Sequence, residues 1–137
     1  MHTGVTVGLI TTTEGTQIIG CAIRIHRALG PVLFESVYEE CLAHELGKSG
    51  LAFRRQVTLP VTYDGLVFPR AFVADFVVEE KIPVELKCIE TILPVHAKQI
   101  ITYLRLAGLS QGLLINFKTD LLKHGLKSFL SSPRPGL

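Results

Sequence analysis

An excess of charge of either sign is what this sequence lacks most plainly. Lys and Arg number 14 against 12 Asp and Glu, so the formal net charge is only +2. A uniformly basic coat for nucleic acid is thereby excluded, and phosphate binding has to come from local clusters. Cysteine is scarce too. Cys21, Cys41 and Cys88 are odd in number, far apart and without the paired spacing of a zinc site. Apolar neighbours, as in Gly20-Cys21-Ala22-Ile23, mark them as buried free thiols in a reducing compartment. No run reaches the roughly 20 apolar residues that a membrane helix needs. Residues 1–13 carry no Lys or Arg before their apolar part, and threonines and Glu14 interrupt or end it, so a secretion signal is not expected. The expectation is a cytoplasmic protein without a membrane partner. A Gly-rich phosphate loop, a Gly-x-Ser-x-Gly elbow and a convincing Cys–His pair are also absent, which removes the common nucleophilic and phosphate-cradling designs.

What is present is apolar material: 47% of 137 residues, enough for one domain with its own core and no disulfide staples. Residues 1–16 are expected to form a flexible arm or a short edge strand, because they are rich in Gly and Thr and lack a helical period. From Gln17, Ile18, Ala22, Ile25 and Leu29 recur at steps of four, three and four, with Ile19 and Ile23 beside them. That predicts an amphipathic helix, ended by Gly30-Pro31. A second helix is expected over about 35–48 with a stripe of Val37, Cys41, Leu42 and Leu46. Strands follow over about 52–63, 66–78 and 82–88. Asp64-Gly65 is a hairpin turn signal and Glu79-Glu80-Lys81 a polar tip. Pro94 opens a third helix that Gly108 closes, and residues 111–117 read as a strand buried on both faces. Residues 121–130 fit helix or strand equally, and 131–137 read as a flexible tail. The order predicts one α/β domain over 17–130 with a mixed sheet flanked by helices.

If Val78 pairs with Ile82, Asp75 lies directly across from Glu85, and Lys87 shares their face, while Ala74, Phe76, Val84 and Leu86 occupy the other. Like charges directly opposite on a strand pair are unfavourable. A cation makes that arrangement tolerable: Lys87 supplies one charge, and Mg²⁺ or Mn²⁺ suits the hard oxygen ligands. A solvated salt-bridge face accounts for the same spacing. Glu35 and Tyr38 are neighbours on the second helix, though Glu35 also suits a helix N-terminus on dipole grounds alone. His96, Gln99 and Tyr103 form a polar stripe on the third helix, which an ordinary solvent face would also give. His26, beside the apolar stripe of the first helix, reads as a hydrogen-bonded, partly buried side chain. Arg54 and Arg55 could meet phosphate or simply solvate a strand end.

Taken together, these residues resemble the bacterial GxxExxY proteins. The likeness runs through Ile18-Ile19-Gly20 to His26, Leu29-Gly30-Pro31, Glu35-Ser36-Val37-Tyr38-Glu39, Asp75, Val84-Glu85-Leu86-Lys87 and Leu93-Pro94-x-His96-x-x-Gln99-x-x-x-Tyr103-Leu104. It ends in Gly112-Leu113-Leu114-Ile115-Asn116-Phe117 and covers about residues 17–130. Val32 stands where the name-giving glycine is expected, which bears on the backbone of the turn before the second helix. The resemblance implies a PD-(D/E)XK nuclease, with a restriction-endonuclease-like core. It makes Asp75, Glu85 and the Leu86 carbonyl metal ligands for Mg²⁺ or Mn²⁺, with Glu35 completing the metal shell or holding a metal-bound water, and Lys87 the group that orients the attacking water. Gln99 and Tyr103 would support the site as a Gln-x-x-x-Tyr motif, with Tyr38 and His96 beside them. The implied activity is metal-dependent hydrolysis of phosphodiester bonds in DNA or RNA, with a homodimer or partner protein extending the small substrate surface. The alternative is a non-catalytic nucleic-acid- or protein-binding module on the same fold. A metal hydrolase acting on a small phosphoester is a third reading.

Overall fold

The computed structural model describes residues 5–8 and 12–131. The remainder of the expected arm, residues 1–4 and 9–11, and the tail from 132 onward lie outside the described residues. Strand β1 spans Val5–Gly8, and helix α1 spans Thr13–Leu29. The helix starts four residues before its apolar period becomes visible, because Thr12 caps it. The Thr12 hydroxyl oxygen accepts from the Gly15 N–H at 3.1 Å and the hydroxyl donates to Gln111 Oε1 at 2.7 Å. The boundary drawn between residues 16 and 17 therefore falls inside α1. Gly30, at φ 74°, ends the helix in the left-handed region that glycine adopts without penalty. Val32 is not among the left-handed residues, so the turn that glycine was expected to require accepts valine.

Helix α2 spans Glu35–Lys48 and buries Tyr38, Leu42 and Leu46, while Val37 is exposed. Leu42 and Leu46 face inward as expected and Cys41 packs against the core, but Tyr38 takes the inward place expected for Val37. The Tyr38 ring stacks on Phe117 with centroids 4.4 Å apart, a larger apolar contact than valine could make. Strands β2 (Phe53–Tyr63), β3 (Leu66–Val78) and β4 (Ile82–Lys87) follow, then α3 (Pro94–Ala107), β5 (Gln111–Asn116) and β6 (Leu126–Ser131). The ambiguous segment 121–130 resolves into a single 3-10 turn at Leu122–Gly125 and the strand β6. Gly125 is obligatory there: a Cβ would lie 2.1 Å from the Asn116 carbonyl oxygen.

The six strands are ordered β1-β6-β5-β4-β3-β2. Among the described strands only β4 and β5 pair in parallel, because the crossover through α3 returns the chain to the same end of the sheet. Helices α1 and α2 cover one face, where Ile18, Ile25, Tyr38 and Leu42 meet Phe76, Val84, Leu86, Ile115 and Phe117. Helix α3 covers the other, through Ile100 and Leu104 on Leu114 and Phe129, and Tyr103 on Ala74 and Val77. All six residues of β5 are buried, as its unbroken apolar run requires. The three cysteines are free thiols, and burial pushes Cys88 up to about 11. Among the described residues no helix is long and apolar enough to cross a membrane.

One irregularity positions everything that follows. Along β2, Phe53 packs on the α1/α2 core, and Arg55 reaches α2 through Glu39 and Glu40, whereas Val57 and Leu59 pack on the α3 face. On β3, Phe76 and Val78 face α1/α2, whereas Phe72 and Ala74 face α3. Strict alternation would put Ala74 with Phe76, as expected from the sequence. The alternation breaks between the pairs Arg55/Phe76 and Val57/Ala74. Gln56 lies between them with φ 51°, a conformation that interrupts a pleat.

Candidate metal and catalytic site

Asp75 stands opposite Gln56, at the break, where β3 also parts from β4. The β3/β4 ladder consists of Val78/Ile82, Val77/Pro83 and Phe76/Val84, the register expected from the polar tip. The next pair would be Asp75 and Glu85, and there the carboxylates take over from backbone carbonyls. Asp75 Oδ2 accepts from the Leu86 N–H at 2.8 Å, and Glu85 Oε1 accepts from the Asp75 N–H at 3.3 Å. Two carboxylates are thus held in the gap between two strands whose neighbours are core residues.

Burial and mutual repulsion set their ionisation. Glu85 is pushed up to about 8, mainly by desolvation and then by the Asp75 charge, with Lys87 acting in the opposite sense. Asp75 is raised as well, first by desolvation, with the Leu86 N–H pulling it down and Glu39 pushing it up. Glu35, at the first turn of α2, is raised by desolvation and by Asp75, and lowered by Lys87. Glu35 thus feels the charges of Asp75 and Lys87, although it remains exposed.

On the α3 side, Glu85 and Lys87 open into a cleft of about 370 Å³ that Gln99, Tyr103, Ile100, Ala71, Phe72 and Val73 also line. Tyr103 is buried and meets Phe72 edge-on, with centroids 6.4 Å apart. Gln99 and Tyr103 thus share a cleft with Glu85 and Lys87. His96 has a different place: its Nδ1 accepts from the Leu93 N–H at 2.9 Å and caps the start of α3. Tyr38 is sequestered in the core, its hydroxyl donating to the Gly30 carbonyl and accepting from the Leu33 N–H at 3.2 Å. It ties the α1–α2 turn together and so fixes where α2 begins. His26 is buried against the Thr119 carbonyl at 2.7 Å. The two arginines at the start of β2 are already neutralised, Arg54 by Glu80 and Arg55 by Glu39 and Glu40.

Three residues not singled out from the sequence shape the site. Glu39, one turn after Glu35, accepts from Gln56 Nε2 at 3.1 Å, and the same Nε2 lies 3.5 Å from Asp75 Oδ1. The i, i+4 spacing of Glu35 and Glu39 was a readable signal. A left-handed Gln56 was not, since glutamine has no preference for that region. Asn116 accepts from the Ile89 N–H at 3.1 Å and donates to the Ile89 carbonyl at 2.8 Å. The Phe117 N–H donates to the Lys87 carbonyl at 2.9 Å, so both groups fix the chain where it leaves β4.

The donor set suits a hard divalent cation in part. Two adjacent, half-buried carboxylates resist ionising together, and a dication supplies positive charge that removes the penalty. Among the described residues, however, no three His, Cys, Asp or Glu side chains converge to hold an ion. Asp75 and Glu85 are the two carboxylates that the fold brings together there, and Glu35 does not join them in a three-residue cluster.

A family model of the PD-(D/E)XK nuclease superfamily matches residues 12–129, and the chain belongs to that superfamily. The mixed sheet flanked by helices is its restriction-endonuclease-like core. No curated protein and no solved structure matches the chain significantly.

Proposed function

We propose that this chain is a metal-dependent nuclease that hydrolyses phosphodiester bonds of DNA or RNA, and that within its superfamily it is one of the GxxExxY proteins. The observation that carries the reading is the pair Asp75 and Glu85, held in the gap between β3 and β4 beside Lys87 and the cleft of Gln99 and Tyr103. Asp75, Glu85 and the Leu86 carbonyl would hold Mg²⁺ or Mn²⁺, with Glu35 completing the shell. When bound, the ion lowers the pKa of water and neutralises charge on the scissile phosphate. Lys87 orients the attacking water and stabilises negative charge developing on phosphate oxygens. Gln99 and Tyr103 form the wall against which the substrate is positioned. A second copy of the chain or a partner protein would extend the surface that one small domain offers to a nucleic acid.

Cleavage of single-stranded DNA, duplex DNA and RNA with Mg²⁺ or Mn²⁺ tests this, comparing wild type with Lys87→Ala and Asp75→Asn. Each variant is expected to lose about 100-fold or more in rate. Equal rates in all three would remove the assignment. A specific observation favours a second reading, that of a non-catalytic binding module: the described residues offer two converging carboxylates rather than three. Nucleic-acid binding that persists without cleavage, and without dependence on divalent ions, would select it.

A further inference from the structure

The outer half of the β2–β3 ribbon is a bare apolar face. Cross-strand pairs place Val61 with Phe68 and Tyr63 with Leu66, so these four side chains share one side. Tyr63 is 71% exposed, Leu66 58% and Phe68 49%, and none of the four belongs to any of the three cores. The tip is well formed nonetheless: Asp64 (φ 48°) and Gly65 (φ 81°) give the type I′ turn that closes a two-residue hairpin. A two-stranded ribbon with an exposed apolar face is marginal in water unless something covers it.

Charge identifies the cover. From Val57 to Val73 the ribbon carries only Asp64 and Arg70, and among the described residues neither makes an ion pair. One cation is too little for a phosphate backbone, whose affinity rises with each phosphate neutralised. One charge of each sign is self-complementary across a two-fold contact, where residue i of one copy meets j of the other and j meets i. We propose that this face docks on the same face of a second copy of the chain, with Asp64 of each copy meeting Arg70 of the other around an apolar centre of Tyr63, Leu66 and Phe68. The inference chooses between the partners named above and holds whether or not the site cuts nucleic acid.

Sedimentation equilibrium of the full chain tests it. Wild type should be dimeric, and the double variant Tyr63→Ser/Phe68→Ser monomeric with an unchanged circular dichroism spectrum. D64R and R70D should each weaken the dimer about tenfold or more, and D64R/R70D together should restore it. A wild type that stays monomeric overturns the proposal, as does a dimer that none of these variants affects. So does failure of the double charge swap to restore what the single swaps lose. Loss of nucleic-acid binding in Tyr63→Ser/Phe68→Ser, with wild type monomeric, would instead assign the ribbon to the substrate.

Discussion

The strand pair β2–β3 has two halves that follow opposite rules. The inner half, up to the break at Gln56 and Asp75, is covered by helices on both faces and carries charge where burial makes charge costly. The outer half, from the Val61/Phe68 pair to the Asp64-Gly65 turn, is uncovered and nearly uncharged, with aromatic and aliphatic side chains facing water. Each half inverts the ordinary arrangement of apolar inside and charged outside. Such inversions suit places that a ligand or partner covers: on the readings proposed above, a cation for the inner half and a second copy of the chain for the outer.

Truncation in the two halves should separate them most sharply. Phe76 is fully buried against Phe53 and the α1/α2 core, so Phe76→Ala should cost about 3–5 kcal/mol in urea unfolding. Phe68→Ala, in the outer half, should cost the monomer under about 1 kcal/mol. Similar losses at the two positions would mean that the ribbon is packed within its own chain.

The next effect in size is a pH dependence confined to the inner half. Folding raises Glu85 from an ordinary 4.5 to about 8, so the metal-free folded chain holds a proton that the unfolded chain releases. That contribution is fully present below 4.5 and is lost as pH rises through about 8, with a slope of at most about 1.4 kcal/mol per pH unit. Thermal melts of metal-free protein should therefore fall between pH 5 and 8.5, and Glu85→Gln should flatten the fall. Identical slopes in both proteins would show that Glu85 ionises without strain.

The smallest effect concerns the break itself. Gln56→Gly should stabilise the chain by about 0.5–1 kcal/mol, because glycine takes φ 51° without penalty. It removes the amide that bridges Glu39 and Asp75, so Mn²⁺ affinity should fall as stability rises. A variant that loses both would show that the glutamine side chain holds the strands together.

Much of this could be read from periodicity. The apolar run of β5, the Asp64-Gly65 turn and the register that sets Asp75 across from Glu85 follow from local patterns that tertiary contacts reinforce. The break in alternation could not be read, since it depends on one left-handed glutamine, and it moved Ala74 to the opposite face. By spacing Tyr38 reads as a polar neighbour of Glu35, but its ring carries more apolar area than Val37 and turns inward in α2. His96 spends its ring nitrogen on the Leu93 N–H, a local demand of the helix end that spacing alone does not reveal. Segment 121–130 stayed ambiguous because a turn and a strand, joined at a glycine pressed on Asn116, carry no single period.

The most direct test of the inner half is isothermal titration of the metal-free chain with Mn²⁺. One ion per chain should bind, Asp75→Asn should abolish binding, and Glu85→Gln should weaken it at least tenfold. Binding that survives Asp75→Asn undiminished, or no binding by wild type, would contradict the claim that these two carboxylates form a cation site.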